Sequence, residues 1–434
     1  MMRRRALSLF VNPREAPALT VALGAVAVTV LVGCSAFGQD PGRQCRSLAQ
    51  TSPDLALDHC NRAIQSGSAS DREAASLRVD RGNAWLAKKE YDRAIADYNQ
   101  AIRSGRLSTA NLSIAHNNRG GAWNDKKDYD RAIADYDTAI RLNAAHPAAY
   151  GNRGDAWAHK KDYERAIADY DQAIRLDPSD AVAHRSRGLA WRNTGDLDRA
   201  IADYDHAVRL NPSYTAAYYN RGDAWYDKKD YDRAIADYGE AIRLAPNSAS
   251  PYNDRAAALV EKREYERALA DYEKAADIDP TLTRHYSLGI TYFYLGRLAQ
   301  SAAALERAVR APPHDTYAML WRYVVRSRAG ATDAARELGE SAAWVKDRSW
   351  PAPVIDFYLG RIDEQALFAA ARDPNPKRTG ELVCEASFYA AEALLITGMT
   401  TRAVPLLRAA ARECPTSFVE AHGAQAELKR AGER

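Results

Sequence analysis

The phrase KKDYDRAIADY occupies positions 126–136 and returns unchanged at 228–238. Between the two stand KKDYERAIADY at 160–170 and the looser TGDLDRAIADY at 194–204, in the same frame. The copies are therefore spaced by a constant period of about 34 residues. A fixed period of this length marks one supersecondary unit stacked on copies of itself, because a single unit cannot bury its apolar face alone. With Gly154 set as position 8 of its unit, Tyr150 falls at 4, Trp157 at 11, Ala166 at 20, Tyr170 at 24, Ala173 at 27 and Pro178 at 32. The next unit supplies His184, Gly188, Trp191, Ala200, Tyr204, Ala207 and Pro212, and the one after it Tyr218, Gly222, Trp225, Ala234, Tyr238, Ala241 and Pro246.

Positions 4, 8 and 11 share one face of a first helix, and 20, 24 and 27 share one face of a second. Large rings at 4, 11 and 24 are expected to fill the space between helices. Gly at 8 and Ala at 20 and 27 allow the backbones to cross closely. The KKD between them sets lysines at one helix C-terminus and an aspartate at the next N-terminus, where both complement the helix dipoles. The proline at 32 ends the second helix. This pattern resembles the tetratricopeptide repeat (TPR), a helix–turn–helix with that same period. The resemblance implies an all-α fold, a superhelical solenoid of antiparallel helix pairs.

The array extends from position 75 to 344 as about eight units. Gly82 and Gly120 centre two units that are spaced four positions wider than the period, and the extra four are expected in a longer loop within SGRLSTANLSIA. Downstream, Ala256 replaces the glycine, Gly289 opens a looser unit, and 316–344 reads as a worn one. The segment 43–70 reads as a capping helical hairpin, and 345–434 as a helical extension with a final TPR-like pair.

The N-terminus reads as an address. Arg3, Arg4 and Arg5 precede an apolar run from Ala18 to Gly33. That run is shorter than the roughly 20 residues that span a bilayer, and it suits a secretory signal. Leu31-Val32-Gly33-Cys34 resembles a bacterial lipobox, which implies a lipoprotein signal at 1–33, lipidation of Cys34 and a tether over 34–42. An uncleaved membrane anchor is the alternative, and both place the bulk of the chain outside the cytoplasm. Four of the 60 basic and one of the 57 acidic residues lie in 1–33, which leaves the remainder balanced at 56 each. A neutral chain has no global pull toward phosphates, so nucleic acid is excluded as a partner.

The other cysteines form two neighbouring pairs, Cys45 with Cys60 and Cys384 with Cys414, each flanking a turn-like sequence. In an exported chain they are disulfide candidates, with four free thiols as the alternative.

The stretches FYLGRIDEQAL (357–367), EASFYAAEALLITG (385–398) and FVEAHGAQAEL (418–428) are similar to the C-terminal part of the outer-membrane TPR lipoproteins of the NlpI family. That resemblance implies a periplasmic adaptor, tethered by lipid at the outer rather than the inner membrane. Such an adaptor brings cell-wall hydrolases together with other envelope proteins, including a protease, and can dimerise. The chain has more and tidier repeats than that family and two cysteine pairs, so its clients can differ. A scaffold subunit of an outer-membrane or secretion assembly is the alternative.

In TPR superhelices first-helix positions 2, 5, 9, 12 and 13 line the concave groove. Here they supply Asn117, Asp125, Asp155, Arg185, Arg192, Tyr219, Asp223, Tyr226, Asn253, Tyr286 and Tyr294 as candidate partner-binding residues. Asn and Asp can bond a peptide backbone, and tyrosines offer rigid contact area. The tyrosine-rich stretch from 219 to 294 is expected to be an exposed aromatic face. No HExxH, GxSxG, CxxC or GxxxxGK[ST] occurs. His116, His184 and His285 fall at position 4 and read as packing residues, so no catalytic, metal or cofactor site is expected. Lipidation is directly testable: Cys34→Ser is expected to abolish metabolic palmitate labelling, and unchanged labelling would refute the lipobox reading.

Overall fold

The computed structural model describes residues 41–49, 51–67, 69–280, 282–309 and 315–433, which form 23 helices and no strand. Residues 1–40, with the proposed signal and Cys34, lie outside the described residues. A short pair, α1 (Pro41–Leu48) and α2 (Pro53–Gln65), comes first. Eight pairs follow: α3 (Asp71–Ala87) with α4 (Tyr91–Arg103), α5 (Thr109–Asp125) with α6 (Tyr129–Leu142), α7 (Pro147–His159) with α8 (Tyr163–Leu176), and α9 (Ala181–Thr194) with α10 (Leu197–Leu210). Then come α11 (Thr215–Asp227) with α12 (Tyr231–Leu244), α13 (Ala249–Glu261) with α14 (Tyr265–Ile278), α15 (Leu282–Tyr294) with α16 (Leu298–Val309), and α17 (Thr316–Arg328) with α18 (Ala334–Ala342). The chain ends in α19 (Ala352–Tyr358), α20 (Glu364–Ala370), the pair α21 (Pro376–Ile396) and α22 (Thr400–Glu413), and α23 (Val419–Arg430).

The KKD turn works residue by residue. In the unit of Gly154, Lys160 is the C-cap of α7, Lys161 takes the left-handed conformation (φ 63°), and the Asp162 carboxylate accepts from the backbone N–H of Arg165 at the start of α8. Lys89, Lys127 and Lys229 repeat the left-handed step, and Gly195 replaces lysine where the phrase loosens to TGD. That conformation costs a non-glycine residue roughly 1–2 kcal/mol, so the turn is held by what it connects.

The ring at position 24 lies flat on the glycine at position 8. A Cβ built on Gly154 would stand 2.8 Å from Tyr170 Cε1, and Gly82, Gly120, Gly188 and Gly222 each face their tyrosine at 2.6–2.8 Å. These tyrosines are fully buried, whereas the tryptophans at position 11 are not. Trp157, Trp191 and Trp225, expected as core, are half-buried and roofed by Arg165, Arg199 and Arg233 of the second helix at 4.5, 3.7 and 3.6 Å. The guanidinium stacks on the ring and completes its cover.

The first five units are each locked to themselves and to what precedes them by one arginine at position 7. Arg153 donates through Nε and Nη2 to Asp169 of its own second helix (2.8 and 2.6 Å), and through Nη1 to Asp137 of the unit before (2.6 Å). Arg187 and Arg221 do the same with Asp203 and Asp171, and with Asp237 and Asp205. Arg81 and Arg119 reach back to Asn61 and Asn99. Burial pushes the Asp169 carboxyl upward against the pull of Arg153, whereas Asp135 and Asp203, equally buried, end below the usual carboxylate range. The difference is His116 and His184, position-4 residues that add a second bond to the arginine's on Asp135 and Asp203.

The extra four residues between Gly82 and Gly120 do not lengthen a loop. They lengthen α5 by a turn, to 17 residues against 13 in α7. Ser113, the first residue after that turn, donates to the Ala139 carbonyl near the end of α6 (2.8 Å).

Successive first helices pack on one another, α3 on α5, α5 on α7, α7 on α9 and α9 on α11, and no comparable pairing joins successive second helices among the described residues. The first helices therefore lie on the tight, inner side of the curve. Cys45 and Cys60 are joined across α1 and α2, Cα to Cα 4.8 Å, and Cys384 and Cys414 across α21 and α22, 5.2 Å. From α15 onward the stacked units give way to one continuous apolar core built on Phe293, Trp321, Phe388 and Tyr389.

Two glycines in α7 separate packing from propensity. Gly154→Ala drives a methyl into Tyr170 and is expected to destabilise by about 1–3 kcal/mol, whereas Gly151→Ala meets no atom within 4 Å and should gain roughly 0.5–1 kcal/mol. Denaturant melts of the two variants check the sign of each.

Candidate functional site

The inner face runs along α5, α7, α9, α11 and α13, and most of its polar side chains are held by neighbours. Asn117 donates to Asn118 (3.1 Å) and accepts from Asn152 of the next unit (2.9 Å). Asp155 accepts from the Tyr170 hydroxyl (2.7 Å). Arg192 reaches across to Asp223 (2.9 Å) and Asp227 (2.8 Å), and Asp223 also accepts from Tyr238 (2.9 Å). Burial pushes the Asp223 carboxyl up to about 7 despite Arg192. Tyr219 donates to Asp254, which also accepts from Asn253 (3.2 Å). Tyr226 stands edge-on to Tyr231 at 5.4 Å, and Asp125 lies half-buried at the end of α5. Arg185 is buried beside the Tyr214 ring at 5.9 Å.

The aromatic face expected from 219 to 294 does not exist as one exposed surface. Tyr294 is 6% exposed, Phe293 is wholly buried, and Tyr286 packs against the same C-terminal core. Residues 345–433 fold back on the array, and α23 covers the groove positions of α15 and α17. The Tyr294 hydroxyl donates to the Val419 carbonyl (3.1 Å), Arg430 donates to the Phe293 carbonyl (3.0 Å), and the Tyr265 hydroxyl meets His422 Nδ1 (3.2 Å). Arg328, at position 13 of its unit, bridges Glu392 (2.9 Å) and Glu427 (3.1 Å), both nearly inaccessible to solvent. Burial lowers His422 to about 4, so α23 docks with that imidazole neutral. Burial and the Glu427 charge push the Glu392 carboxyl up, with Arg328 opposing.

Several groove residues escaped the reading of the sequence. Asn83, Asn118, Asn152, Asn220 and Asp254 hold or face the hydrogen bonds of the inner surface. The last four recur at position 6, a periodicity visible in the chain whose meaning depends on how the next unit is turned.

A tetratricopeptide-repeat family profile matches residues 48–108, 125–181, 185–249, 230–282 and 286–353. The chain belongs to the tetratricopeptide-repeat family. A curated relative, a lipoprotein NlpI homolog of Haemophilus influenzae, is 27% identical over 146 residues, which are 33% of this chain and 46% of that one. The chain thus spans about half the length of that relative. Among solved structures, the C-terminal part of a TPR repeat-containing protein of Cytophaga hutchinsonii is 20% identical, with 55% of this chain and 97% of that one covered at a TM-score of 0.46. A TPR protein of Parabacteroides merdae is 18% identical, covering 58% and 99%, at a TM-score of 0.44. The chain is a TPR protein resembling NlpI.

The covered and uncovered tyrosines should behave differently. Tyr294→Ala opens a cavity under α23 and is expected to cost about 3–5 kcal/mol, whereas Tyr226→Ala should stay within about 1 kcal/mol. Thermal melts decide it, and an early-melting Tyr226→Ala would show that this ring also belongs to the core.

Proposed function

We propose that this chain is a non-catalytic adaptor of the bacterial envelope that captures protein segments in the inner groove between α5 and α13. The observation that carries this reading is α23. A helix of the chain's own C-terminus already lies on the groove positions of α15 and α17, held by aromatic rings, a backbone carbonyl and arginine–carboxylate pairs. The same inner surface upstream offers preset polar groups on Asp155, Arg192, Asp223 and Asn253, and groups held by neighbours lose little freedom when a partner binds.

The likeness to a lipoprotein NlpI homolog supports a lipid tether at Cys34, and in this reading the array lies on the periplasmic side, at the outer membrane. In this reading the clients are cell-wall hydrolases or a protease, as the resemblance of residues 357–367, 385–398 and 418–428 to that family implies. No cofactor enters this reading, and a homodimer is compatible with it. The two disulfides suit an oxidising compartment.

Co-purification from detergent-solubilised membranes tests it. Hydrolases or proteases are expected with the wild type and should be lost from a variant that melts normally and combines Tyr226→Ala with Asn193→Ala, an exposed residue at position 13 of its unit near the end of α9. Barrel or secretin subunits in their place would favour a scaffold of an assembly complex.

A further inference from the structure

Position 15, the second residue of the KKD turn, takes two forms in this chain. It is Lys89, Lys127, Lys161, Lys229 and Arg263 in five units, and Gly195, Gly296 and Gly330 in three. All eight have a positive φ, between 59° and 88°. A left-handed residue at the end of a helix is ordinarily glycine, sometimes asparagine, because a Cβ is penalised there. The chain itself uses glycine at this point three times, so the architecture does not forbid it. The five cations are therefore kept against the preference of their own backbone, and such a conflict points to a use for the side chain.

The five side chains are exposed, and no carboxylate pairs with them among the described residues. Their neighbours at position 14 are paired. Lys88 holds Asp54, Lys126 holds Asp92, Lys160 holds Asp130 and Lys262 holds Asp232, each across to the preceding hairpin. These bridges set successive turns side by side along one edge of the array. Within the turns, Asp128, Asp162, Asp230 and Glu264 answer the arginines three residues on. One cation per turn is left uncompensated, and the row is broken only at Gly195. Beside it lie the half-buried tryptophans: Lys126 and Lys160 Nζ stand 5.7 Å from the rings of Trp123 and Trp157, and Lys228 Nζ stands 5.8 Å from that of Trp225. Arginines also recur on the opposite edge, at Arg141, Arg175, Arg209 and Arg243, but they lie in regular helix and nothing in their backbone marks them.

We propose that this turn edge docks on an anionic lipid surface, with the left-handed cations at the level of the headgroups. The choice of occupant rests on the reading of Cys34 as a lipid tether. Cys34 precedes Pro41 by seven residues, a reach of at most about 25 Å, and α1 adds about 12 Å before the turn that the Lys88–Asp54 pair marks. Leu55, next to Asp54 at that first turn, is a largely exposed apolar side chain. Tryptophan beside lysine is the composition that favours a membrane–water interface, and each basic residue near an anionic surface adds attraction. A tether holds the chain near a bilayer without orienting it, and a row of cations along one edge does orient it. Because the edge is made of helix ends, docking by it leaves the inner groove along the helix sides open to a client.

Amine acetylation read by mass spectrometry tests this on the full chain, purified from membranes in detergent and reconstituted into vesicles. The vesicles are phosphatidylcholine alone, or phosphatidylcholine and phosphatidylglycerol in equal parts. Lys89, Lys127, Lys161 and Lys229 are expected to label at least about fivefold more slowly on the anionic vesicles than on the neutral ones. Lys274 and Lys377, exposed but off this edge, should not change, and high salt should cancel the difference. Lys89→Gly/Lys127→Gly/Lys161→Gly/Lys229→Gly gives each left-handed position the residue its backbone favours, so it should melt no earlier than the wild type. In that variant Lys126, Lys160 and Lys228 report on the same turns and should label equally on both vesicles. Equal labelling of the wild type on both vesicles, protection that survives in the glycine variant, or an early melt of that variant would overturn the inference. So would protection by soluble polyglutamate without protection by anionic vesicles, which would make an acidic polypeptide the occupant. Flotation reads the tether separately. A chain that leaves neutral vesicles but is protected on anionic ones keeps the edge and loses the tether. One that floats with both and is protected on neither keeps the tether and loses the edge.

Discussion

The arginine at position 7 is the contact on which the stacked part of the molecule depends, because its single guanidinium ties three helices. Two nitrogens hold the aspartate of its own second helix and the third reaches the preceding unit, as Arg153 does with Asp169 and Asp137. A buried pair of this kind returns little net stability once desolvation is counted, and its best-attested role is to set register. The opposing pull of burial and pairing on Asp169 fits that balance. What the fork fixes is geometry: it sets the distance at which Tyr170 meets Gly154 and the angle at which one first helix meets the next. The inner groove exists because those angles repeat.

The ladder also shows where the repeat logic ends. Arg255 holds Asp271 but has no backward partner among the described residues, because position 25 of the preceding unit is Gly239. In the unit after that, position 7 is Leu288, which is buried. From there an apolar core replaces the polar register, and Phe293, Trp321 and Phe388 hold the chain together as they would in a globular domain. The groove is thus open along α5 to α13 and filled along α15 to α17, where α23 brings Glu420, His422 and Glu427 into burial. Arg328 answers Glu427, the Tyr389 hydroxyl answers Glu420 (2.9 Å), and Tyr265 answers His422, so the docked helix is specified by polar contacts as well as by apolar area.

A unit's departure from its neighbours carries as much information as its agreement with them. Lys161 is ordinary as a residue, since a lysine in an exposed turn offends no rule of charge or hydropathy. It becomes informative only beside Gly195, Gly296 and Gly330, which show what the left-handed backbone at that point favours. Periodic architecture supplies this internal reference, and a side chain kept against its backbone's preference can be recognised because its equivalents have none.

Much of this molecule was decided within reach of single residues. The repeat period, the helix faces, the capping Asp162 and the crossing of Gly154 under Tyr170 all follow from spacing and side-chain size, since helix geometry converts sequence distance directly into a shared face. The partnership of Cys45 with Cys60 and of Cys384 with Cys414 was legible for the same reason, each pair flanking one turn. Other features depended on contacts that spacing does not encode. The four extra residues between Gly82 and Gly120 became a helical turn at the start of α5, beside the bond from Ser113 to the Ala139 carbonyl, and the tryptophans lie half-buried under arginines of the next helix. The fate of Tyr294 was decided far along the chain, by Val419. A sequence pattern states which face a side chain is on, but whether that face meets water or a returning segment of the same chain is settled only when distant helices pack.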